Sequence, residues 1–335
     1  MKRVTLAVVL AVTFVCSHPS AVFAQVNDSA CDARTMVSTG GAFPKNPQTL
    51  AIRWTGYSNF ELVYKNQIIL LDAYFDRGSL YPPLGFAAAD VKRANVILLG
   101  HGHFDHMSDA VSVATRTGAI VVGAPVTVDA LVAQKLPATQ IRRVTGTGGE
   151  RLGFEHFTVE PILGRHGEPP ADVTAPFNQA LQRTTPRPSA EQLAEQVAIH
   201  SRGTNDSRVI AEGTIAYLIT LDDGFRVMYR DSGGTITKEE TAAMARIGRV
   251  DIALGAIAAS VLPSLTAQRA LEYMRAYKPD VFIPAHHDGS INDLWRATEP
   301  IFQALKDENP DIVTLSRGYR EPSCFDTTKR VRIRN

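Results

Sequence analysis

Between Gly100 and Asp109 the chain reads Gly-His-Gly-His-Phe-Asp-His-Met-Ser-Asp, so His101, His103, Asp105 and His106 fall within six consecutive positions. Imidazole and carboxylate groups bind zinc, manganese and iron, and without sulfur the ligand type does not choose among them. On extended backbone His101 and His103 share a face. Asp105 and His106 are adjacent and reach the same place only if the chain turns. The spacing therefore suits two neighbouring cations, with His101 and His103 on one and Asp105 and His106 on the other. Three of the nine histidines lie in this one stretch, which a scattered set of surface imidazoles would not produce.

Two cations need more donors, and the later chain offers them at strand ends. His166 follows the apolar run Phe157–Ile162, Asp231 follows Phe225–Tyr229, and His286 follows Val281–Ile283. A ligand type at the end of three apolar strands, each before a loop, fits a site on the rim of a sheet. His287 is the alternative to His286 as ligand, and otherwise a residue touching substrate or supporting the site. Asp72 ends the run Ile68–Leu71 and suits a hydrogen-bonding support for the metal loop. Tyr57 and Arg230 are candidates for substrate contact. His156 reads as structural. His200, at a helix C-terminus where a cation suits the dipole, reads as a surface residue.

The elements that must position these groups follow from periodicity. Leu50–Trp54, Phe60–Tyr64 and Ile68–Asp72 read as strands, the last two joined by a Lys65-Asn66 turn. Strand and helix then alternate: strands at Val96–Leu99, Ile120–Val122 and Ile141–Val144, with helices capped by Ser108 or Asp109 and over Val128–Gln134. The turn Gly146–Gly149 closes a first half. The second half repeats the order, with strands at Phe157–Ile162, Thr214–Leu221 and Phe225–Tyr229, the last pair joined by the hairpin signal Asp222-Asp223-Gly224. Helices are expected at Lys238–Ile247, Thr266–Tyr277 and Asp293–Lys306, and strands at Asp251–Leu254, Val281–Ile283 and Ile312–Leu315. Residues 167–213, proline-rich at first, interrupt this order as an insertion with one clear helix, Ala190–Ile199, on which Leu193 and Val197 share a face. Because this insertion joins His166 to the strand leading toward Asp231, part of it is expected to cover the metals. Two such halves form two sheets packed face to face with helices outside, an α/β sandwich.

With 335 residues, 44% of them hydrophobic, the chain can bury a full core. Its net charge of +1 and scattered Lys and Arg leave no electrostatic footprint for nucleic acid, so the expected partner is a small-molecule substrate. Lys2 and Arg3, the apolar run Val4–Val15 and the small-residue end at Ala24 read as a signal peptide over residues 1–24, too short to span a bilayer comfortably. Export to a periplasmic or secreted location follows, with no membrane attachment after cleavage. Residues 25–48 read as an extended leader, 49–324 as the folded domain, and 325–335 as a basic tail. Cys16 leaves with the signal. In an oxidising compartment the remaining Cys31 and Cys324 are expected to form a disulfide.

The pattern His101-x-His103-x-Asp105-His106, followed by His166, Asp231 and His286, resembles the metallo-β-lactamase superfamily of binuclear metal hydrolases over about residues 50–316. The resemblance implies a four-layer αβ/βα sandwich with metals at its open edge. By position it implies His101, His103 and His166 on one metal, Asp105, His106 and His286 on the second, and Asp231 bridging them. Within the superfamily the chain is most similar to the branch containing ascorbate-6-phosphate lactonase, through Ile68–Asp72 and Ile283-Pro284-Ala285-His286. It differs from that branch at Gly56-Tyr57-Ser58, where Gly-His-Ser or Gly-His-Ala is usual, and at Arg230-Asp231-Ser232-Gly233, where Gly-Asp-Thr-Gly is usual. The expected activity is hydrolysis of an ester, lactone or amide bond by a hydroxide bridging two divalent metal ions, zinc favoured over manganese or iron. Asp105 would be both ligand and proton shuttle. The alternatives are a phosphodiesterase on the same site, an iron-dependent redox enzyme, and a non-catalytic metal-binding protein.

Overall fold

The computed structural model describes residues 28–167, 188–257, 263–288 and 298–333. The expected signal segment, residues 168–187 of the insertion and the start of the helix expected from Asp293 lie outside the described residues.

In the first half, β1 (Thr49–Trp54), β2 (Phe60–Tyr64) and β3 (Gln67–Leu71) form an antiparallel meander. β4 (Val96–Leu98), β5 (Ile120–Gly123) and β6 (Ile141–Arg143) continue the sheet in parallel. The second half repeats this plan. β7 (Leu152–Gly153), β8 (Phe157–Leu163), β9 (Ile215–Leu221) and β10 (Arg226–Arg230) are antiparallel, and β11 (Ile252–Ala256), β12 (Val281–Ala285) and β13 (Val313–Thr314) are parallel. β14 (Pro322–Asp326) and β15 (Val331–Ile333) return to the first sheet beside β1, giving the orders β15-β14-β1-β2-β3-β4-β5-β6 and β13-β12-β11-β10-β9-β8-β7. The described helices are α1 (Ser29–Asp32), α2 (Phe104–Met107), α3 (Ala110–Thr117), α4 (Pro125–Ala133), α5 (Ala190–His200), α6 (Arg208–Glu212), α7 (Lys238–Ile247), α8 (Pro263–Tyr277) and α9 (Thr298–Glu308).

Strand alternation sorts the core into layers. Leu50, Ile52 and Trp54 of β1, Ile69 and Leu71 of β3, and Ile215, Tyr217 and Ile219 of β9 pack between the sheets. Their neighbours Ala51, Ile68 and Leu70 face the opposite way, toward Ala110, Val113 and Leu131 of α3 and α4. Ala216 and Leu218 face Ala243, Ala270 and Ile301 of α7, α8 and α9. Three apolar layers separate four layers of secondary structure, which is the expected αβ/βα sandwich.

Three segments differ from expectation. The leader is packed rather than extended: α1 and the turns after it cover the outer face of the first sheet, where the buried Arg53–Glu61 ion pair holds their backbone. Glu61 accepts the N–H groups of Val37 (3.1 Å) and Ser38 (2.7 Å), and Arg53 donates to the carbonyls of Ala30 and Ala33. The tail forms the β14–β15 hairpin because β1 would otherwise be an unpaired edge. The Cys31–Cys324 disulfide joins these two segments, as expected. On α5 the Leu193 and Val197 face is turned outward, and Gln196 and Ile199 are buried instead.

Candidate metal centre

Every group singled out as a donor sits where an apolar strand ends, at one edge of the sandwich. His101 follows β4, His166 follows β8, Asp231 follows β10 and His286 follows β12. The turn required between His103 and His106 is supplied by α2: His103 occupies its N-cap and Asp105 and His106 lie within it. Asp109 stands at the N-cap of α3 but does not cap it with its side chain; its carboxylate accepts the N–H groups of Phe75 (2.7 Å) and Asp76 (2.9 Å).

The seven side chains converge in three overlapping triads: His101, His103 and His166; His101, His106 and Asp231; and Asp105, His106 and His286. Within each triad the ligand atoms lie within 4.8 Å of one another. The first and third triads have the same members as the two metal sets implied by the resemblance. The middle one places Asp231 against both, as a bridge requires. His286 belongs to a triad and His287 to none.

The donor chemistry fits divalent cations. Burial, with neighbouring imidazoles adding to it, holds His101 well below the ordinary imidazole pKa. Burial also lowers His103 and His166, so the first triad presents neutral rings with lone pairs available. His166 Nδ1 is buried and, among the described residues, has no hydrogen-bond partner. Burial would raise Asp105, but His106 and His286 hold its carboxylate well below the usual range. On His106 burial opposes Asp105 and Asp72, and the two carboxylates prevail, raising it. Burial raises Asp231. Asp72 Oδ2 contacts His106 Nδ1 at 2.6 Å, which orients the ring and leaves Nε2 toward Asp105, 3.5 Å away. Asp72 also accepts from Ser58 Oγ (2.8 Å), Tyr229 OH (2.6 Å) and the Gly100 N–H (2.9 Å), so its carboxylate is held by partners from four segments around the donors. Gly100 is required by proximity: a Cβ there would lie 2.0 Å from Asp231 Oδ2.

A cavity of about 400 Å³ opens onto the donors and is also lined by Phe104, Gly167, Asn205 and Ser232. A larger one, about 780 Å³, lies beside the Gly146–Gly149 turn and α7 and gathers no donor triad. Asn205 belongs to the insertion, so its described part does wall the site. The Thr204 N–H donates to the Gly102 carbonyl (2.8 Å), and Gly203 lies so close that a Cβ would meet Phe104 N at 2.4 Å. His200 remains exposed, as expected, and stacks on Phe104 with ring centroids 3.7 Å apart. No local pattern marks Asn205 in the sequence.

Tyr57, Arg230 and His287, expected to touch substrate or support the site, do not line the cavity. Tyr57 is buried behind His286, its ring edge-on to that imidazole at 4.7 Å, and does not line the cavity. Arg230 is buried on the other face of β10, where it pairs with Glu240, packs over Tyr273 and donates to the Gly234 carbonyl (2.9 Å). Period-two alternation carried this signal: Tyr229 and Asp231 share one face and Arg230 takes the other. His287 is buried with its ring stacked on Trp54 at 4.2 Å and also lies outside the cavity lining.

Residues 67–287 match the Beta-lactamase superfamily domain. Among curated proteins, the chain is 35% identical over 115 residues to a UPF0173 metal-dependent hydrolase of Agrobacterium fabrum, covering 33% of this chain and 45% of that one. It is 29% identical over 139 residues to another from Lawsonia intracellularis, covering 39% and 58%. The chain thus spans less than two thirds of the length of these relatives. Among solved structures, the fold is similar to Igni18, a metallo hydrolase of Ignicoccus hospitalis (TM-score 0.55, 15% identity, 83% of this chain and 98% of that one). It is also similar to CmlA, a diiron β-hydroxylase of Streptomyces venezuelae (TM-score 0.51, 16% identity, 82% and 54%). The matched stretch runs from β3 past the last of the seven donors and takes in more than half of the chain, and the chain belongs to the Beta-lactamase superfamily.

Proposed function

We propose that the protein is an exported, two-cation hydrolase that cleaves an ester, lactone or amide bond in a small molecule. The observation that carries this reading is the overlap of the triads: His101 and His106 each belong to two, and Asp231 sits where they meet. That arrangement would suit two cations, one held by His101, His103 and His166 and the other by Asp105, His106 and His286, with Asp231 available to both. Bound there, the cations supply Lewis acidity, lowering the pKa of water and polarising the scissile carbonyl. The chain does the rest. His101, His103 and His166 stay neutral and fixed on one side. Asp105, ionised and beside His106 and His286, is placed to take and pass on the proton of the attacking water. Phe104, Asn205 and Ser232 bound the space left for substrate.

The lining also bears on which bond is cut. Among the described residues no Lys or Arg lines the cavity, so no basic side chain of that type would add to the cations in meeting a phosphodiester anion. This favours an acyl bond over a phosphodiester, and the resemblance to the lactonase-containing branch supports a lactone or ester. The disulfide between Cys31 and Cys324 suits the oxidising compartment that the signal-like N-terminus implies. Zinc is the favoured metal, with manganese second.

Metal analysis and a substrate panel test the reading. Two zinc or manganese ions per chain and turnover of a lactone or aryl ester, above a β-lactam or bis-aryl phosphodiester, are expected. If neither loaded form hydrolyses any member, the hydrolase assignment fails. Preferential turnover of the phosphodiester would instead favour the phosphodiesterase alternative.

A further inference from the structure

Asp288, two positions beyond His286, belongs to no donor triad and does not line the cavity. Its buried carboxylate is nevertheless tied to the centre through the backbone of one residue, Tyr57. Oδ1 accepts the Tyr57 N–H at 2.7 Å, and the Tyr57 carbonyl accepts the His286 N–H at 2.6 Å and Trp54 Nε1–H at 2.7 Å. Oδ2 accepts from Arg77 Nη1 (2.5 Å) and Tyr319 OH (2.6 Å). Arg77 is itself enclosed by the rings of Tyr57, Tyr81 and Tyr319, between 5.1 and 5.8 Å from their centroids. This pair presses on the turn between β1 and β2: a Cβ at Gly56 would lie 2.6 Å from Arg77 Nη1 and 3.1 Å from Asp288 Oδ2.

The same turn reaches both imidazoles of the third triad. Beyond the Tyr57 contacts with His286, Ser58 Oγ lies 2.9 Å from His106 Nδ1. Backbone conformation points to why such a clamp is needed. Tyr57 (φ +47), Asp72 (φ +56) and His286 (φ +58) all occupy the left-handed region, which non-glycine residues avoid and which persists only where the surroundings over-determine it. For His286 the surroundings are the Tyr57 backbone, and for the Tyr57 backbone they are Asp288.

We propose that Asp288 is a positioning residue for the third triad: through the Tyr57 backbone it holds His286 in the backbone conformation that brings Nε2 to Asp105, at 3.2 Å. The inference rests on the reading that this triad takes the second of two cations. It makes the departure from the usual Gly-His-Ser into part of a local device, in which the residue at position 57 acts mainly through its backbone.

Calorimetric titration of zinc into the metal-free full-length protein tests it. The parent should bind two cations. Asp288→Ala should keep the first at parental affinity and bind the second about 10–100-fold more weakly, the usual cost of losing a residue that orients a ligand. Asp288→Asn retains an acceptor for the Tyr57 N–H while losing the charge opposite Arg77. It should melt at a lower temperature yet bind the second cation within about threefold of the parent, and it is this contrast with Asp288→Ala that a purely structural ion pair would not give, since loss of the pair is common to both variants. Tyr319→Phe, which leaves the Tyr57 contact intact, should bind both as the parent does. Equal weakening of both cations in Asp288→Ala, or no weakening, overturns the proposal. Should Asp288→Ala fail to fold, Asp288→Ser, whose hydroxyl is too short to reach the Tyr57 N–H, takes its place: selective weakening of the second cation supports the proposal, and equal or no weakening overturns it. A parent that binds only one cation removes the two-cation reading and this inference together, whereas a two-cation parent with an unaffected Asp288→Ala removes this inference alone.

Discussion

Asp72 and His106 meet at 2.6 Å beneath the metal centre, the carboxylate on the strand end of β3 and the imidazole on the one-turn helix α2. This contact fixes the ring from behind, and it ties the first sheet's meander to the metal loop. Replacing Asp72 with Ala should weaken cation binding about 10–100-fold and leave the Gly100 N–H without its buried acceptor, while the Tyr229 hydroxyl keeps the Ser58 carbonyl at 3.1 Å. The orphaned N–H costs about 1–3 kcal/mol, so the melting temperature should fall with the affinity. Metal titration and thermal melts of Asp72→Ala and Asp72→Asn check both effects. Parental affinity in Asp72→Ala would remove the supporting role.

Gly100 leaves no room for a side chain, because its missing Cβ is where the Asp231 carboxylate sits. Gly100→Ala should displace Asp231 from between the triads. Displacements of about 1 Å at a reacting centre can cost on the order of 100-fold, and kcat/KM should fall by at least that much. Steady-state kinetics on the best substrate of the panel, with metal content measured on the same sample, separate this from loss of fold.

Asn205 reaches the cavity from the insertion and, among the described residues, spends its carboxamide on no hydrogen bond. Asn205→Ala should retain both cations but change the ratio of kcat/KM between a small and a large ester by about tenfold, the size of one lost neutral hydrogen bond. Replacing residues 172–207 with a short linker should alter substrate preference more strongly. It also removes the Thr204 strap on Gly102, so some loss of metal affinity should accompany it. Unchanged kinetics across both substrate sizes would refute a specificity role for the insertion.

His287 supplies an acid-sensitive point away from the cavity. Burial pushes its imidazole down to about 4, against 6.5 for an ordinary one. Between those values the unfolded chain binds a proton that the folded protein refuses, so stability is greatest above pH 6.5 and falls as pH drops toward 4, by up to roughly 3 kcal/mol. His287→Phe keeps a ring against Trp54 and cannot titrate. Its melting temperature should be flatter than the parent's across that window, and a parallel decline in both would show that other groups set the acid limit.

The Cys31–Cys324 disulfide closes a loop of 293 residues in sequence. Denatured protein should show no free thiol from this pair before reduction and two after. Its removal by Cys31→Ser and Cys324→Ser together should lower stability by about 2–5 kcal/mol. Equal thiol counts with and without reductant would exclude the bond.

Local chemistry made much of the centre readable in the sequence. A donor following an apolar strand must lie at the sheet's rim, and six residues holding His101, His103, Asp105 and His106 cannot be spread apart, so the candidate donors and two packed sheets followed from periodicity and spacing, while the choice of His286 over His287 and the four-layer order came from the family resemblance. Asp72 was readable for the same reason, since it ends β3. What depends on pairing across the chain was decided only by the folded structure. Edge-strand demand drew residues 322–333 back to β1, and a buried ion pair drew residues 28–38 onto the outer face of the sheet. Tyr57, Asp288 and Asn205 lie 231 residues apart in one pairing and on an insertion in the other, and no local pattern relates them to the donors. Short-range periodicity can say which face a residue takes, but a hydrogen bond across that distance exists only once both sheets have closed on each other.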